Sequence, residues 1–239
     1  VLISVVTIVS NPKLGSLDGL EGIVELGVGD GPPLYIEANA VPISINGLRG
    51  VRGVSPGALV VWSNRPLASF DGLEGVTGVA GYDTTYGASI YIWANDMLRS
   101  VAALDNVQGD LPGALIVLSN PALESPQGLL GIHAAGTEAA YGGTTAVQIA
   151  SINPSLCATP DEVNALRTMC ETSAGYGFGE ADDCAPATDA ECRGASGCEG
   201  KHSRVALTVM RARSLETRCG ADTPPPAPAI YLPQRALRY

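Results

Sequence analysis

Leu59-Val60-Val61-Trp62-Ser63-Asn64-Arg65-Pro66-Leu67-Ala68-Ser69-Phe70-Asp71-Gly72-Leu73-Glu74-Gly75-Val76 is the stretch that decides the fold. It begins as a strand in which Leu59 and Val61 alternate with Val60 and Trp62. That period of two sends successive side chains to opposite faces. The chain then turns at Asn64 and returns through Leu67, Phe70, Leu73 and Val76, apolar residues spaced by three.

The same layout recurs along the sequence. Asn11, Asn39, Asn64, Asn95, Asn120 and Asn153 stand at spacings of 28, 25, 31, 25 and 33 residues. With each Asn as origin, the third following residue is Leu14, Pro42, Leu67, Leu98, Leu123 and Leu156. The sixth is Leu17, Ile45, Phe70, Val101 and Pro126, and the ninth is Leu20, Leu48, Leu73, Leu104 and Leu129. The twelfth is Ile23, Val51, Val76, Val107 and Ile132. Counting back, the third residue is Ile8, Ile36, Val61, Ile92 and Val117, and the fifth is Val6, Leu34, Leu59, Ile90 and Leu115. A period of this length is the signature of a repeat architecture.

Each copy reads as one coil that cannot bury its inward face alone, so neighbours must stack into a continuous core. The fold class is therefore mainly β, a right-handed β-helix or solenoid of about six coils. At ~4.8 Å per strand the stack spans roughly 24 Å. The recurring Asn has a physical role there: its side chain can satisfy backbone groups at each turn, where burial without partners costs about 1–3 kcal/mol. Asn11, Asn39, Asn64, Asn95, Asn120 and Asn153 are thus expected to form a structural ladder. The sixth copy carries one extra residue between strand and Asn153, which predicts a bulge.

Composition agrees with a packed, turn-rich chain. Hydrophobic residues make up 46% against 16% charged, which excludes a disordered protein, and 29 Gly with 17 Pro favour turns over long helices. A net charge of −10 argues against nucleic acid or an anionic membrane surface as partner. No apolar run approaches the roughly 20 residues that span a bilayer; the longest, Val1 to Val9, includes Ser4 and Thr7. The sequence begins without Met or a signal peptide, as a mature or excised fragment would.

Three regions are expected: a solenoid over 1–157, a capping helix and cysteine-rich segment over 158–220, and a proline-rich tail over 221–239. Cys157, Cys170, Cys184, Cys192, Cys198 and Cys219 all fall in the last third. An even, clustered set implies disulfides and an oxidising compartment, whereas a zinc site would want CxxC pairs and more than one nearby His. Their pairing stays open. Thr159-Pro160-Asp161-Glu162 is a helix start, with Thr as N-cap, Pro first in the helix and Glu three residues on. The helix is expected over Pro160 to Cys170 as a lid on the last coil, with Val163, Leu166, Met169 and Cys170 on its apolar face. Val205 to Val209 alternates like a strand, and Asp222 to Pro228 reads as extended polyproline.

The phrases Asn11-Pro12-Lys13-Leu14 with Leu17-Asp18-Gly19-Leu20-Glu21-Gly22, and Asn64 with Phe70-Asp71-Gly72-Leu73-Glu74-Gly75, resemble the L domains of insulin- and EGF-receptor ectodomains. Asn153-Pro154-Ser155-Leu156-Cys157 is similar to the way such domains close, with a cysteine after the last coil. The resemblance covers residues 1 to about 170. It implies a leucine-rich β-solenoid at the cell surface or outside the cell, with ligand contacts on the sheet face.

If alternate strand residues point inward, two outward rows remain. They are Thr7, Tyr35, Val60, Tyr91 and Ile116, and then Val9, Glu37, Trp62, Trp93 and Leu118. Both tryptophans lie in the second row. An apolar, aromatic outer face marks an interface, or a face covered by another part of the chain. Tyr35, Glu37, Val60, Trp62, Tyr91, Trp93, Ile116 and Leu118 are the candidate binding residues. Longer coils add loops at Gly27 to Pro33, Ala80 to Ser89 and Ala134 to Thr144, which contribute Tyr82, Asp83, Tyr86 and Tyr141; they could stack into one recognition ridge but are read mainly as tolerated surface insertions. Val1 falls within the first strand, which leaves an open edge for a flanking domain or a neighbouring molecule.

Catalysis finds no support. Asp18, Glu21, Asp71 and Glu74 repeat with the coil and suit turns better than paired catalytic carboxylates or a calcium site. His133 and His202 stand apart, and no catalytic triad, metal cluster or phosphate loop can be assembled. No cofactor or metal is expected. The expected function is a non-enzymatic extracellular structural or binding module, part of a larger cell-surface or filament glycoprotein. Its partners would be other protein chains, flanking domains or copies of itself. A ligand-binding receptor ectodomain is the alternative, and a polysaccharide-acting β-helix enzyme a remote one. The chain has no Asn-x-Ser/Thr sequon, which removes N-glycosylation and leaves hydroxyproline glycosylation of the proline-rich tail open.

Overall fold

The computed structural model describes residues 2–3, 5–28, 31–40, 43–136, 146–149, 153, 155–174, 203–204 and 207–208. In chain order the first strands are β1 (Leu2–Ile3), β2 (Val6–Val9), β3 (Glu25–Leu26), β4 (Leu34–Glu37) and β5 (Gly53–Ser55). Next come β6 (Leu59–Trp62), β7 (Val76–Val79), β8 (Ala88–Trp93), β9 (Gly109–Asp110) and β10 (Ala114–Leu118). Last are β11 (Ile132–Ala134), β12 (Val147–Ile149), β13 (Cys157–Ala158), helix α1 (Pro160–Ser173), β14 (Ser203–Arg204) and β15 (Leu207–Thr208).

Strands β2, β4, β6, β8, β10 and β12 lie side by side in one sheet, and each neighbouring pair is parallel. The chain advances one strand per circuit, so the fold is a β-solenoid of five turns joining six strands. Registry follows the sequence columns: Leu34 pairs with Val6 and Leu59, and Ile36 with Ile8 and Val61. Both inward rows are buried from Val6 and Ile8 to Leu115 and Val117. Val147 and Ile149 continue these rows one residue further from Asn153, the offset visible in the sequence. The bulge expected there falls on 150–152, outside the described residues.

Hydrogen bonding explains why the return path has a period of three. In one coil Leu73 N–H donates to the Phe70 carbonyl and Val76 N–H to the Leu73 carbonyl, at 3.1 and 3.0 Å. Ile45, Leu48 and Val51 repeat this, as do Val101, Leu104 and Val107. Three residues per turn bring every third side chain to the same side. These residues fill the interior around Phe70, the bulkiest fully buried side chain. A second face is made of the short parallel pairs β1–β3, β5–β7 and β9–β11.

Two glycines show how closely coils approach. A Cβ on Gly47 would lie 1.8 Å from the Leu17 carbonyl oxygen, and one on Gly128 2.0 Å from that of Val101. Backbone rests on backbone at these two positions, where a Cβ would displace the preceding coil.

The Asn residues form the expected ladder. Backbone N–H groups of Asn11, Asn39, Asn64, Asn95 and Asn120 each donate to Oδ1 of the next Asn, at 3.1, 3.2, 3.0, 3.1 and 2.7 Å. The Nδ2 of Asn39, Asn64, Asn95, Asn120 and Asn153 donates back to the carbonyls of Ile8, Ile36, Val61, Ile92 and Val117. These buried amides are therefore satisfied within the stack. Before each turn sits a small residue in the left-handed region: Ser10, Ala38, Ser63, Ala94 and Ser119, at φ of 53–57°.

Two expectations need correction. Leu2–Ile3 is not part of the first main strand but pairs with β3 on the second face, and the main sheet opens at Val6. The helix continues one turn past Cys170 to Ser173, where the Ser173 hydroxyl bonds the Met169 carbonyl and accepts from Ala135 N–H. Within the strand expected over 205–209, β15 pairs antiparallel with β12, while 205, 206 and 209 lie outside the described residues; β14, just before it, pairs antiparallel with β13. The capping box is present, with Thr159 Oγ1 accepting from Glu162 N–H and Glu162 Oε2 from Thr159 N–H. Val163, Leu166, Met169 and Cys170 are buried in the core that continues from the last coil. Cys157 and Cys170 are each engaged in a disulfide. Cys184, Cys192, Cys198, Cys219 and the proline-rich tail lie outside the described residues.

Candidate functional site

The outer face of the main sheet is built by registry. Thr7, Tyr35, Val60, Tyr91, Ile116 and Gln148 stand opposite one another in one row across β2 to β12. Val9, Glu37, Trp62, Trp93 and Leu118 form the second row. Cross-strand neighbours ~4.8 Å apart stack side chains of this size against each other. The result is a second hydrophobic cluster, separate from the interior, of Val60, Tyr91, Ile116, Ala58, Ala88 and Ala114 with Tyr35, Trp62, Tyr86, Trp93 and Leu118 around it.

The middle of the first row is covered rather than open to solvent. Val60 is 0% exposed, Tyr91 4% and Ile116 6%. Part of the cover is Tyr86, which comes from the second insertion loop and was expected there as part of a candidate loop ridge, not of the sheet face. Its ring stacks on Tyr91 with centroids 4.4 Å apart and meets Trp62 edge-on at 6.1 Å. The hydroxyls of Tyr35 and Tyr86 lie 3.3 Å apart. Tyr91 continues the cluster to Trp93 at 5.6 Å. Trp62, Trp93, Tyr35, Glu37 and Leu118 remain half-buried, while Thr7 and Val9 at the sheet edge are exposed.

The loop that carries Tyr86 is thus an ordered part of the face and not merely a tolerated insertion. Asp83 Oδ1 accepts from the N–H groups of Thr85 and Tyr86 at 2.9 and 3.1 Å. Asp83 and Ala88 form an antiparallel bridge that closes the loop. Ser89 is the extra residue of a bulge in β8, since Ala114 pairs with Ala88 but Leu115 with Ile90. The Ser89 hydroxyl, fully buried, donates to the Gly81 carbonyl and accepts from Gly113 N–H at 2.8 and 2.7 Å. The other two insertions fall wholly or partly outside the described residues.

Electrostatics on this face follow from burial. Desolvation, then hydrogen bonding with Tyr86 and the Glu37 carboxylate, holds the Tyr35 hydroxyl well above the usual tyrosine range. Tyr91 is likewise raised, first by burial and then by Tyr86. Tyr86 is raised chiefly by burial, with Tyr35 acting the other way. These phenols are neutral donors and acceptors throughout the physiological range. With both indoles they give the face apolar area edged by N–H and O–H groups, a mixture that suits recognition.

The remaining singled-out residues do structural work elsewhere. Glu21 and Glu74 accept the N–H groups of Gly19 and Gly72 at 2.9 Å, so these carboxylates close return turns. Ion pairs Glu21–Arg49, Arg65–Asp96 and Arg99–Glu124 link successive coils at the surface. His133 Nδ1 lies 2.8 Å from Asp110 Oδ1 on an exposed part of the second face. Among the described residues no group of three or more His, Cys, Asp or Glu is placed to hold a metal. No described helix is long and apolar enough to cross a membrane.

Comparison with protein-family models, with curated proteins and with solved structures finds no match for this chain.

Proposed function

We propose that this chain is a non-enzymatic extracellular binding and scaffolding module, akin to receptor L domains, that engages other protein chains through the outer face of its main sheet. The observation that carries the proposal is the aromatic cluster itself. Trp62 and Trp93 are half-buried, adjacent in registry, and braced by Tyr86 and Tyr91 on rigid strands. Large aromatic side chains pinned in place lose little entropy on binding and dominate interface energetics. The cysteine cluster and the resemblance in the coil motif support an oxidising, cell-surface or extracellular setting.

Sedimentation velocity of the non-reduced chain over a concentration series, alone and with Trp62→Ser/Trp93→Ser, tests this. Concentration-dependent growth that the double variant abolishes, with its circular dichroism intact, supports a structural unit of a coat or filament. A monomer at all concentrations places the partner in a different molecule. Self-association unaffected by the double substitution overturns the assignment of the face.

A further inference from the structure

We propose that the proline-rich tail of the same chain, centred on Pro224-Pro225-Pro226-Ala227-Pro228, docks as a polyproline II helix across the aromatic outer face of the main sheet. This rests on the assignment of that face as the binding surface, and it names the first ligand the face meets. The tail lies outside the described residues.

The chemistries match. A polyproline II helix makes no internal hydrogen bonds, and proline has no N–H, so its carbonyls need donors from elsewhere. Surfaces that bind such helices combine aromatic rings, between which prolines seat, with hydroxyl or indole donors. Tyr35, Trp62, Tyr86 and Trp93 place four half-buried rings around the buried Tyr91, and each of the four carries a donor. Strands of the sheet present only side chains on this face, because their backbone groups are engaged with neighbouring strands. Charge agrees as well. The chain carries −10 overall, yet residues 223–239 contain Arg235 and Arg238 and no acidic residue. Glu37 is the carboxylate of the face and sits in the row of the two tryptophans.

The route is short. β15 forms the edge of the main sheet beyond β12, and its Thr208 stands opposite Gln148, at the end of the row that holds Tyr91, Val60 and Tyr35. The chain therefore leaves the last described strand beside the face in question. From β12 to β6 is three strand spacings, about 15 Å. The 16 residues from Thr208 to Pro224 can span up to about 50 Å. No rearrangement of the solenoid is needed.

Both tryptophans of the chain are on this face, so intrinsic fluorescence reports on it alone. The test compares acrylamide quenching of the full chain with that of the full chain carrying Pro224→Gly, Pro225→Gly, Pro226→Gly and Pro228→Gly. The expected result is red-shifted emission and at least a twofold larger quenching constant in the variant, at every protein concentration, with unchanged circular dichroism. Equal quenching in the two proteins overturns the proposal. A difference that appears only as concentration rises also overturns it, and assigns the face to the tail of a second copy. The parent assignment is judged separately, by whether Trp62→Ser/Trp93→Ser abolishes association.

Discussion

Through a single oxygen, Oδ1, Asn64 accepts both the backbone N–H and the side-chain amide of Asn39, at 3.2 and 2.9 Å. Its own Nδ2 reaches the carbonyls of Ile36 and Trp62 at 2.8 and 3.0 Å. One buried side chain thus fixes the turn of its own coil and the turn of the coil before it.

Asn64→Leu is expected to strand the Asn39 amide groups and the Ile36 carbonyl in a dry core. We expect a loss of about 3 kcal/mol in urea unfolding. Asn11→Leu removes only a bond to the Val9 carbonyl at a half-exposed end and should cost less than about 1 kcal/mol. Equal costs at the two positions would deny the ladder its stabilising role.

Gly53 and Gly128 both have positive φ, +83° and +96°, but only Gly128 has backbone pressed against it. Gly53→Ala should therefore cost about 1 kcal/mol for the left-handed conformation alone. Gly128→Ala should cost a further 1–3 kcal/mol or so, because the Val101 carbonyl must move. The comparison of melting temperatures isolates coil-to-coil contact from backbone preference.

Ser89→Ala leaves the Gly81 carbonyl and Gly113 N–H without their shared partner. A destabilisation of about 1–3 kcal/mol is expected. If the bulge is what seats the loop, tryptophan quenching should rise in the same variant, since Tyr86 braces Trp62.

Alkaline pH should act on the tyrosine cluster. Tyr35 and Tyr91 have folded-state values raised above their ordinary value of 10.0, so the folded chain holds their protons where the unfolded chain releases them. Their contribution is complete below pH 10 and is lost as pH rises beyond it. Unfolding followed from pH 9 upward should show a steep loss above about 10 that Tyr35→Phe/Tyr91→Phe reduces. An unaltered slope in the double variant would mean that other groups set the alkaline limit.

The solenoid was legible because its columns are enforced by burial: a polar residue at Leu59 or Val61 would face the interior, so the alternation survives in every coil. The Asn column was legible for the same reason, each buried amide meeting backbone groups of the preceding coil at a fixed place in the repeat. The left-handed turn residue was missed, although Ser10, Ala38, Ser63, Ala94 and Ser119 mark it with a run of small side chains before each Asn. Small size is a weak signal, since Ser and Ala are common for many reasons. Registry alone placed the two outward rows correctly but could not give their exposure. That depended on Tyr86 folding back from an insertion held by Asp83 and Ser89, a tertiary event with no periodicity to announce it.

In the asparagine ladder every backbone N–H from Asn11 to Asn120 depends on the Oδ1 of the Asn one coil later. During synthesis a coil therefore emerges with its turn amide still open to water and is completed only when the next Asn arrives, 25–33 residues later. At roughly 5–20 residues per second, that is a delay on the order of one to seven seconds per coil. The nascent chain matures as a travelling front that lags the ribosome by one repeat, and translation speed through each repeat sets how long an unfinished edge is exposed.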